Sequence, residues 1–279
     1  MKSERRPVAL VTGASRGIGR ACASSLAVGG FDVAFTARTR REGTGRDDSD
    51  AGGGEPIEGS LETTAAEVSA AGGRALPLVA DLTDFGSLEA AVAAVAEQWG
   101  RIDALILNAV HTGPGSMLRI LDTTVEAVGT KLTANALAQV ALVKAALPVM
   151  LEAGGGRILC ITSYAATHTP TAPVGEGGWG YAYAASKAAF HRLAGHVAVE
   201  LGDQGIVAIN VDPGHVVTER MQANAARLGL SGRYHGAPPS APAAAVAWLA
   251  SAPEAVELNG QTVEALRLVL ERDLHPDWR

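Results

Sequence analysis

The chain is 279 residues long, and 47% of its residues are hydrophobic against 19% that are charged, a balance typical of a folded globular protein and not of a disordered one. Its formal net charge of −6 argues against nucleic-acid binding, which needs a basic face to neutralise phosphates. We expect one domain, 1–279, although the length alone would also allow two small ones.

The N-terminal sequence MKSERRPVALVTG runs directly into a β-type segment, without the apolar stretch and cleavage site of a signal peptide. No other apolar run is long and uninterrupted enough to span a bilayer. We therefore expect a cytoplasmic protein with no membrane partner. Cys22 and Cys160 both stand in apolar surroundings, which predicts two buried, reduced thiols and no disulfide.

Short apolar runs alternate with longer helical patterns along the whole chain. The predicted strands are PVALVT, DVAFTA, ALPLVA, DALILN, RILCIT, IVAINV and a short one near 261–264. The predicted helices cover about 18–28, 60–71, 88–99, 122–151 and 181–201. Since the strands are apolar throughout, helices should cover both sheet faces. The sequence thus predicts an α/β fold, a Rossmann-type doubly wound parallel sheet of about seven strands.

Three segments interrupt this alternation. Residues 39–59 are polar and glycine-rich, so we expect a mobile loop that does not pack. Residues 167–180 form a Pro/Gly-rich loop just before a predicted helix, and we expect it to act as a lid. Residues 219–241 follow the strand IVAINV and are expected to form a substrate loop, because ligands bind at strand carboxyl ends in this architecture.

A glycine-rich turn, TGASRGIG from Thr12 to Gly19, follows the first strand and opens the first helix. Glycines let backbone amides approach a pyrophosphate, and the helix N-terminus supplies partial positive charge for it. A glycine pattern alone would equally fit an ordinary turn. Its position after the first strand favours a dinucleotide site.

Tyr183 and Lys187 stand four residues apart in YAYAASK, so on a helix they share one face. An ammonium about 4 Å from the phenol, at an effective dielectric of about 20, would lower the tyrosine pKa from about 10 to about 7. Tyr183 could then exchange a proton at neutral pH. Tyr181 lacks such a partner because Ala185 lies four residues after it. The alternative is an exposed pair on an amphipathic helix.

These motifs, from about Pro7 to about Ala265, resemble the classical short-chain dehydrogenase/reductase family, whose first turn reads TGxxxGxG. The resemblance implies that Asp81 and Leu82 contact the adenine and that the PGxVxT-like segment at 213–218 lies against the nicotinamide. It implies cofactor contacts at Gly13, Ser15, Arg16, Gly17, Ile18, Gly19, Arg38, Asp81, Leu82, Asn108, Ala109, Tyr183, Lys187, Pro213, Gly214, Val216 and Thr218.

The chain departs from the family pattern in places. Leu107 and Val110 replace the first Asn and the Gly of the family's NNAG turn, and Thr83 and Asp84 are equally explained by helix capping. The Val-Asp-Gly-Gly that usually follows the last strand is missing, so 266–279 is predicted to be a C-terminal extension, a helix and tail without an assigned role.

The resemblance implies a catalytic set of Asn135, Ser163, Tyr183 and Lys187. Twenty positions separate Ser163 from Tyr183, more than is usual, so the two side chains meet only if the intervening loop folds outward. Ser163 would otherwise bind local backbone. Asn135 would open a long helix and hold a proton-relay water; the alternative is a core asparagine whose hydrogen bonds are satisfied.

The implied activity is interconversion of a carbonyl and a secondary alcohol by a homotetramer or homodimer, with no catalytic metal. The alternatives are a 3-oxoacyl thioester reductase, a non-catalytic dinucleotide sensor, and a sugar-nucleotide epimerase or dehydratase, which generally carries a differently spaced glycine turn. Residues expected at the mouth of the substrate pocket are His111, Tyr164, Trp179, Met221, Leu228 and Tyr234.

The end of the second strand predicts NADP(H) as the cofactor, with NAD(H) as the alternative. Ala37 stands where folds that select NAD place a carboxylate for the adenosine ribose. Arg38 follows it, and Arg16 lies in the glycine turn, so two guanidinium groups could bind a 2′-phosphate. Arg38 could instead be the solvated start of a polar loop.

Overall fold

The computed structural model describes residues 5–227 and 235–278. Its strands are β1 Val8–Thr12, β2 Asp32–Ala37, β3 Arg46–Asp47, β4 Glu55–Pro56, β5 Ala75–Val79, β6 Ala104–Leu107, β7 Gly156–Ile161, β8 Ile206–Asp212 and β9 Thr262–Glu264. Its α-helices are α1 Gly17–Val28, α2 Leu61–Ala70, α3 Phe85–Trp99, α4 Val125–Leu132, α5 Ala138–Glu152, α6 Tyr181–Leu201, α7 Glu219–Arg227, α8 Ser240–Ser251 and α9 Ala265–Arg272.

Seven strands form one parallel sheet in the order β5-β2-β1-β6-β7-β8-β9. Strand β1 pairs with β2 on one side, Val8 opposite Asp32, and with β6 on the other, Ala9 opposite Ala104. The strand order therefore reverses between β1 and β6, the point at which doubly wound sheets bind ligands. The predicted Rossmann-type fold with seven strands is confirmed.

The apolar strands are explained by cores on both faces of the sheet. In β2, Val33 and Phe35 belong to a cluster that includes α1 and α8, whereas Ala34 points to a cluster that includes α3, α5 and α6. Every residue of β1 and β2 is buried. Cys22 and Cys160 are buried and free, as predicted, and burial raises the pKa of each thiol to about 12.

The long predicted helix is interrupted. A π-helical turn, Thr133–Leu137, joins α4 to α5. Residues Val125–Glu152 are long and apolar enough to cross a membrane by length and composition, and half of the most apolar window is buried inside the protein. Leu142 and Met150 of α5 are fully buried in the core. A mostly buried core helix of a soluble protein passes the same test of length and composition.

The prediction that 39–59 does not pack is wrong. This segment, which we call the insertion hairpin, contains the antiparallel pair β3 and β4, and Asp47 within it is fully buried. Its polar residues pack because they are paired with charges elsewhere, as described below, and not because they are apolar. Its mobility stays a prediction.

After β8 the structure differs from the prediction at one helix and agrees with it at another. Helix α8 was not predicted, because its Ala- and Pro-containing sequence shows no helical periodicity that would distinguish it from a turn. Residues 266–279 do carry the predicted helix: α9 contributes Leu268 and Val269 to the core, and Leu274 and Trp278 of the tail pack against it.

Candidate active site

A cleft of about 300 Å³ opens where β1 and β6 end, a volume at the lower end of the range for ligand sites. Twelve of the residues predicted to bind a cofactor line it: Gly13, Ser15, Arg16, Gly17, Ile18, Gly19, Arg38, Asp81, Leu82, Asn108, Ala109 and Thr218. The other five do not line this cleft: Tyr183, Lys187, Pro213, Gly214 and Val216.

The glycine turn depends on close backbone contact. A Cβ on Gly19 would lie 2.3 Å from the carbonyl oxygen of Gly13, and a Cβ on Gly13 would lie 2.7 Å from the Cα of Ala109. Asn108 stabilises the turn, because its Nδ2 donates to the carbonyl oxygens of Thr12 at 2.9 Å and Gly13 at 3.1 Å. Asn108 therefore keeps a positioning contact although its neighbours depart from the NNAG pattern.

The start of α1 has the properties of an anion site. Its N-cap, Arg16, makes no side-chain capping hydrogen bond. The N–H of Gly17 instead donates to a carboxylate oxygen of Glu219 at 2.9 Å, and Glu219 also pairs with Arg20. A carboxylate of the chain itself thus lies where a helix N-terminus favours a negative group. These residues fit the pyrophosphate of a dinucleotide.

Ser163, Tyr183, Lys187 and Asn135 form what we call the tyrosine end of the site. Ser163 follows β7, and its hydroxyl lies near enough to the Tyr183 hydroxyl for hydrogen bonding to act to lower the pKa of Tyr183, so the two side chains meet across the intervening loop. Ser163 also accepts a hydrogen bond from the N–H of Ala165 at 3.3 Å, which was the local alternative. Both interactions are present.

The pKa of Tyr183 differs from the sequence prediction. The ring is partly exposed, but enough protein surrounds the hydroxyl that burial raises its pKa, against the lowering effect of Ser163. The predicted lowering by Lys187 is not present in this arrangement. The Lys187 ammonium donates to the carbonyl oxygen of Ile161 at 2.9 Å, and burial lowers its pKa to about 8.

Asn135 lies in the π-helical turn, 2% exposed. Its Oδ1 accepts from the N–H of His111 at 2.7 Å, and its Nδ2 donates to the Ser186 hydroxyl at 3.0 Å. Ser186 in turn donates to the carbonyl oxygen of Tyr183 at 2.8 Å. Because His111 lines the cleft, this chain of hydrogen bonds joins the cleft wall to α6. These contacts match the alternative, a core asparagine whose hydrogen bonds are satisfied. The helix is locally opened at this position, as predicted.

Arg16, Arg38, Asp48 and Thr112 form what we call the arginine end. Arg16 donates to the carbonyl oxygens of Glu58 at 2.7 Å and Gly59 at 2.8 Å. Arg38 forms an ion pair with Asp48 at 2.7 Å, and Asp48 also accepts from the Thr112 hydroxyl at 2.7 Å. Both predicted guanidinium groups therefore already have acceptors, and all three acceptors, Glu58, Gly59 and Asp48, belong to the insertion hairpin.

Sequence reasoning missed three residues of this region. Arg220 lines the cleft and pairs with the buried Asp47 at 3.3 Å, Asp48 reaches Arg38, and Lys131 is fully buried beneath the loop that carries Thr112. The role of the hairpin could have been inferred from its three aspartates within an otherwise glycine-rich stretch, Asp47, Asp48 and Asp50.

The loop at 167–180 is anchored by its aromatic residues. Tyr164 stacks on His168 with ring centroids 3.7 Å apart and meets the partly buried Trp179 edge-on at 6.1 Å. The N–H of Gly180 donates to the carbonyl oxygen of Ser116 at 3.0 Å. A lid motion of this loop stays a prediction.

Of the predicted substrate-pocket residues, His111 lines the cleft and burial lowers its pKa. Met221 lies on α7, whereas Leu228 and Tyr234 lie outside the described residues. Asp84 caps α3 by accepting from the N–H of Ser87, which was the alternative given for it. Within 5–227 and 235–278, no group of three or more His, Cys, Asp or Glu side chains is placed to hold a metal ion.

The parallel sheet, the glycine turn and the Ser163, Tyr183 and Lys187 group define an oxidoreductase built on a dinucleotide-binding fold. The family model described as short chain dehydrogenase matches residues 55–228. The chain belongs to the short-chain dehydrogenase family.

Known members are similar over nearly the full length. The chain is 32% identical to the 3-oxoacyl-[acyl-carrier-protein] reductase of Escherichia coli (strain K12) over 263 residues, 92% of this chain and 94% of that one. It is 33% identical to the cyclohexanol dehydrogenase of Rhodococcus sp. (strain TK6) over 231 residues, 81% and 80% of the two chains. A solved 3-oxoacyl-[acyl-carrier protein] reductase from Brucella melitensis in complex with NAD matches with a TM-score of 0.75 and 29% identity, covering 94% of this chain and 96% of that one.

Proposed function

We propose that the protein interconverts a carbonyl and a secondary alcohol by hydride transfer, with a nicotinamide dinucleotide and with Tyr183 as general acid or base. The observation that carries this proposal is that the Ser163 hydroxyl, twenty positions away in sequence, lies near enough to the Tyr183 hydroxyl to act on its pKa by hydrogen bonding. Two hydroxyls that converge at the carboxyl end of a central strand can serve one substrate oxygen, one as hydrogen-bond donor and one as proton source.

When bound, the nicotinamide supplies or accepts the hydride. In the reductive direction the Tyr183 hydroxyl protonates the carbonyl oxygen, and the Ser163 hydroxyl donates a hydrogen bond that polarises it. In the oxidative direction Tyr183 takes the proton of the alcohol. The raised pKa of Tyr183 favours its protonated form, which suits the proton donor of a reduction at neutral pH.

Lys187 is proposed to bind the nicotinamide ribose hydroxyls and, through its charge, to favour the phenolate of Tyr183 once proton transfer has begun. One of its three N–H donors is bound by Ile161, and within the described residues the other two have no hydrogen-bond partner. Asn135 is proposed to position a relay water through which the proton is replaced from solvent. Its place in the π-helical turn supports this role, because such turns free main-chain groups at functional sites.

The remaining cofactor contacts are proposed from the family pattern. The glycine turn and Asn108 hold the pyrophosphate, Asp81 and Leu82 contact the adenine, and the segment 213–218 lies against the nicotinamide. The sequence predicts NADP(H) from Ala37, Arg38 and Arg16, and that preference stays a prediction, whereas the relative from Brucella melitensis was solved with NAD. It is tested by comparing kcat/KM with both dinucleotides for the wild type and the Ala37→Asp/Arg38→Ala variant.

A 3-oxoacyl thioester reductase is the second candidate, favoured by the similarity to the Escherichia coli enzyme over 92% of this chain. A non-catalytic sensor is disfavoured because Tyr183 and Lys187 are both retained. The pocket is proposed to be lined by His111, Tyr164, Trp179 and Met221, none of which dictates a particular substrate.

The chain is proposed to act as one domain, 1–279, in the cytoplasm, and to assemble as a homotetramer or homodimer. Large apolar side chains on and before α4 and on α5 are exposed, among them Leu121 at 97% and Val125 at 89%, and a second copy of the chain would cover such surface. Light scattering on the purified protein checks the assembly.

The experiment that tests the function is a screen of purified protein against secondary alcohols, cyclic and linear ketones and acetoacetyl-CoA, with NAD(H) and NADP(H), followed at 340 nm. Turnover on any of these that Tyr183→Phe abolishes supports the proposal, and preference for acetoacetyl-CoA supports the second candidate. Binding of either dinucleotide without turnover on the whole panel would favour the sensor.

A further inference from the structure

The insertion hairpin, 39–59, is fixed to the protein on two sides of the cleft by two of its aspartates. Asp50 accepts hydrogen bonds from the main-chain N–H groups of Gly115 and Met117, both at 2.8 Å. Asp47 is fully buried between two arginines, at 3.3 Å from Arg220 and 2.9 Å from Arg227. The hairpin therefore extends from the end of β2 to the loop after β6 and to α7.

Asp48, which lies between these two aspartates in the chain, contacts two residues that line the cleft. Its Oδ2 lies 2.7 Å from Nη2 of Arg38 and its Oδ1 accepts from the Thr112 hydroxyl at 2.7 Å. Arg38 and Thr112 both line the cleft, one after β2 and the other after β6, so Asp48 joins its two walls. Burial acts to raise the pKa of Asp48, but hydrogen bonds from Thr112 and Arg38 and the charge of Arg38 outweigh it and lower the pKa. The carboxylate is thus ionised at neutral pH.

We propose that Asp48 supplies, from the insertion hairpin, the carboxylate that β2 lacks at Ala37, so that the cleft prefers NAD(H) to NADP(H). This inference rests on the proposed function, because it requires that the cleft bind a nicotinamide dinucleotide. It is opposite to the preference that the sequence predicts. A carboxylate accepts hydrogen bonds from ribose hydroxyls and repels a 2′-phosphate. Arg38 was assigned to that phosphate because of its positive charge, and the ion pair with Asp48 neutralises that charge.

The second predicted phosphate ligand does not compensate. Nε and Nη2 of Arg16 are engaged by the carbonyl oxygens of Glu58 and Gly59 in the same hairpin. Gly45 lies so close to this guanidinium that a Cβ there would be 2.6 Å from its Nη2. The hairpin thus holds Arg16 by its backbone and Arg38 by a carboxylate, and of these two only the Arg38 interaction can be removed by one side-chain change.

The test uses the full chain and measures equilibrium binding, so that it does not depend on a known substrate. Dissociation constants for NAD⁺ and NADP⁺ are measured by calorimetry for the wild type and for Asp48→Asn, which keeps the side-chain size and removes the charge. We expect the wild type to bind NAD⁺ at least about tenfold more tightly, and Asp48→Asn to gain about tenfold in relative affinity for NADP⁺, the effect of one charge-assisted contact.

The matched control is Asp50→Asn, which changes a neighbouring aspartate of the same hairpin that binds main-chain N–H groups and not Arg38. Loosening of the hairpin alone would change both dissociation constants together in this variant and leave their ratio as in the wild type. Adding Arg38→Ala to Asp48→Asn should abolish the gain in NADP⁺ affinity, because the freed guanidinium is its source.

A wild type that prefers NADP⁺, or an unchanged affinity ratio in Asp48→Asn, would overturn the inference while leaving the proposed function intact. An equal change of ratio in Asp50→Asn would also overturn it, since the effect would then belong to the hairpin's position and not to the Asp48 charge. Failure of the wild type to bind either dinucleotide would overturn the proposed function, and this inference with it.

Discussion

The tyrosine end and the arginine end of the site are held in place by different forces. At the tyrosine end, Lys187 and Asn135 are 5% and 2% exposed, and their partners are backbone groups and a serine hydroxyl. At the arginine end, Arg38 and Asp48 are 48% and 30% exposed as side chains, and their contact joins full charges on the hairpin and on the cleft wall.

This difference separates chemistry from cofactor choice. Buried hydrogen bonds fix positions to within a small distance, and their loss leaves unpaired polar groups. Partly exposed ion pairs contribute little to stability, typically up to about 1 kcal/mol, but they determine which charge a ligand can bring. We therefore expect changes at the tyrosine end to affect turnover and folding, and changes at the arginine end to affect the preference between dinucleotides.

The largest effect is expected from Tyr183→Phe, which removes the hydroxyl and keeps the ring. Turnover on a substrate found in the screen should fall about 10²- to 10⁴-fold, the range for loss of a general acid, while the dissociation constant for the dinucleotide stays within about twofold. Tyr181→Phe is the control, because Tyr181 is an exposed tyrosine on the same helix. Wild-type turnover in Tyr183→Phe would refute the assignment of the acid.

Lys187→Ala should damage both turnover and binding, because one ammonium is proposed to serve the phenolate and the ribose. We expect the dinucleotide dissociation constant to rise about tenfold or more, as for the loss of a hydrogen bond from a charged group. Lys144→Ala, an exposed lysine on α5, is the control, and circular dichroism shows whether each variant is folded. An unchanged dissociation constant would count against the ribose role.

The positions of the residues at the tyrosine end could be predicted from sequence because their geometry is local or set by regular elements, whereas their catalytic roles stay predictions. The four-residue spacing of Tyr183 and Lys187 fixes their common face on α6, and Ser163 lies two residues after the end of β7, a strand whose register is fixed by its neighbours. The pKa of Tyr183 was not predicted, since the spacing does not show that the Lys187 ammonium bonds the carbonyl oxygen of Ile161.

The arginine end was only half predicted, for a physical reason. Arg16 and Arg38 were found because they belong to the glycine turn and to the end of β2. Their partners were not, because Asp48 is ten residues beyond Arg38 in a segment without periodicity, and Thr112 is 64 residues further on. Composition classed that segment as loop, but charge pairing across long sequence separations gives it a defined conformation.

The glycine turn between the two ends allows a sharper test of how closely backbone packing controls binding. In Gly19→Ala the new Cβ would lie 2.3 Å from the carbonyl oxygen of Gly13, so the turn must shift. We expect a loss of about 1–3 kcal/mol in the free energy of unfolding, as for an overpacked site, together with weaker binding of both dinucleotides. Gly195→Ala on α6 is the control, because nothing lies within 4 Å of its new Cβ.

The last expected effect is on the pH dependence of stability and concerns Lys131, which links the two ends. It lies on α4, fully buried, and donates to the carbonyl oxygens of His111 and Gly113 in the loop that receives the hairpin. Burial lowers its pKa to about 8 from the ordinary lysine value of 10.5, and the charges of Asp50 and Asp48 oppose this. Asp50 belongs to the hairpin and binds Gly115 and Met117 of the same loop.

The sign of the pH dependence follows from this lowered pKa. Between about pH 8 and pH 10.5 the unfolded chain holds more of the Lys131 proton than the folded one, so the contribution of this group to the free energy of unfolding rises with pH. Lys131→Met cannot titrate. The difference in the free energy of unfolding by urea between the wild type and Lys131→Met should therefore increase from pH 8 to pH 10. Lys144→Met, which removes an exposed lysine, is the control. A difference that falls over this range would mean that the fold favours the charged form of Lys131, and that the hairpin carboxylates outweigh burial at this position.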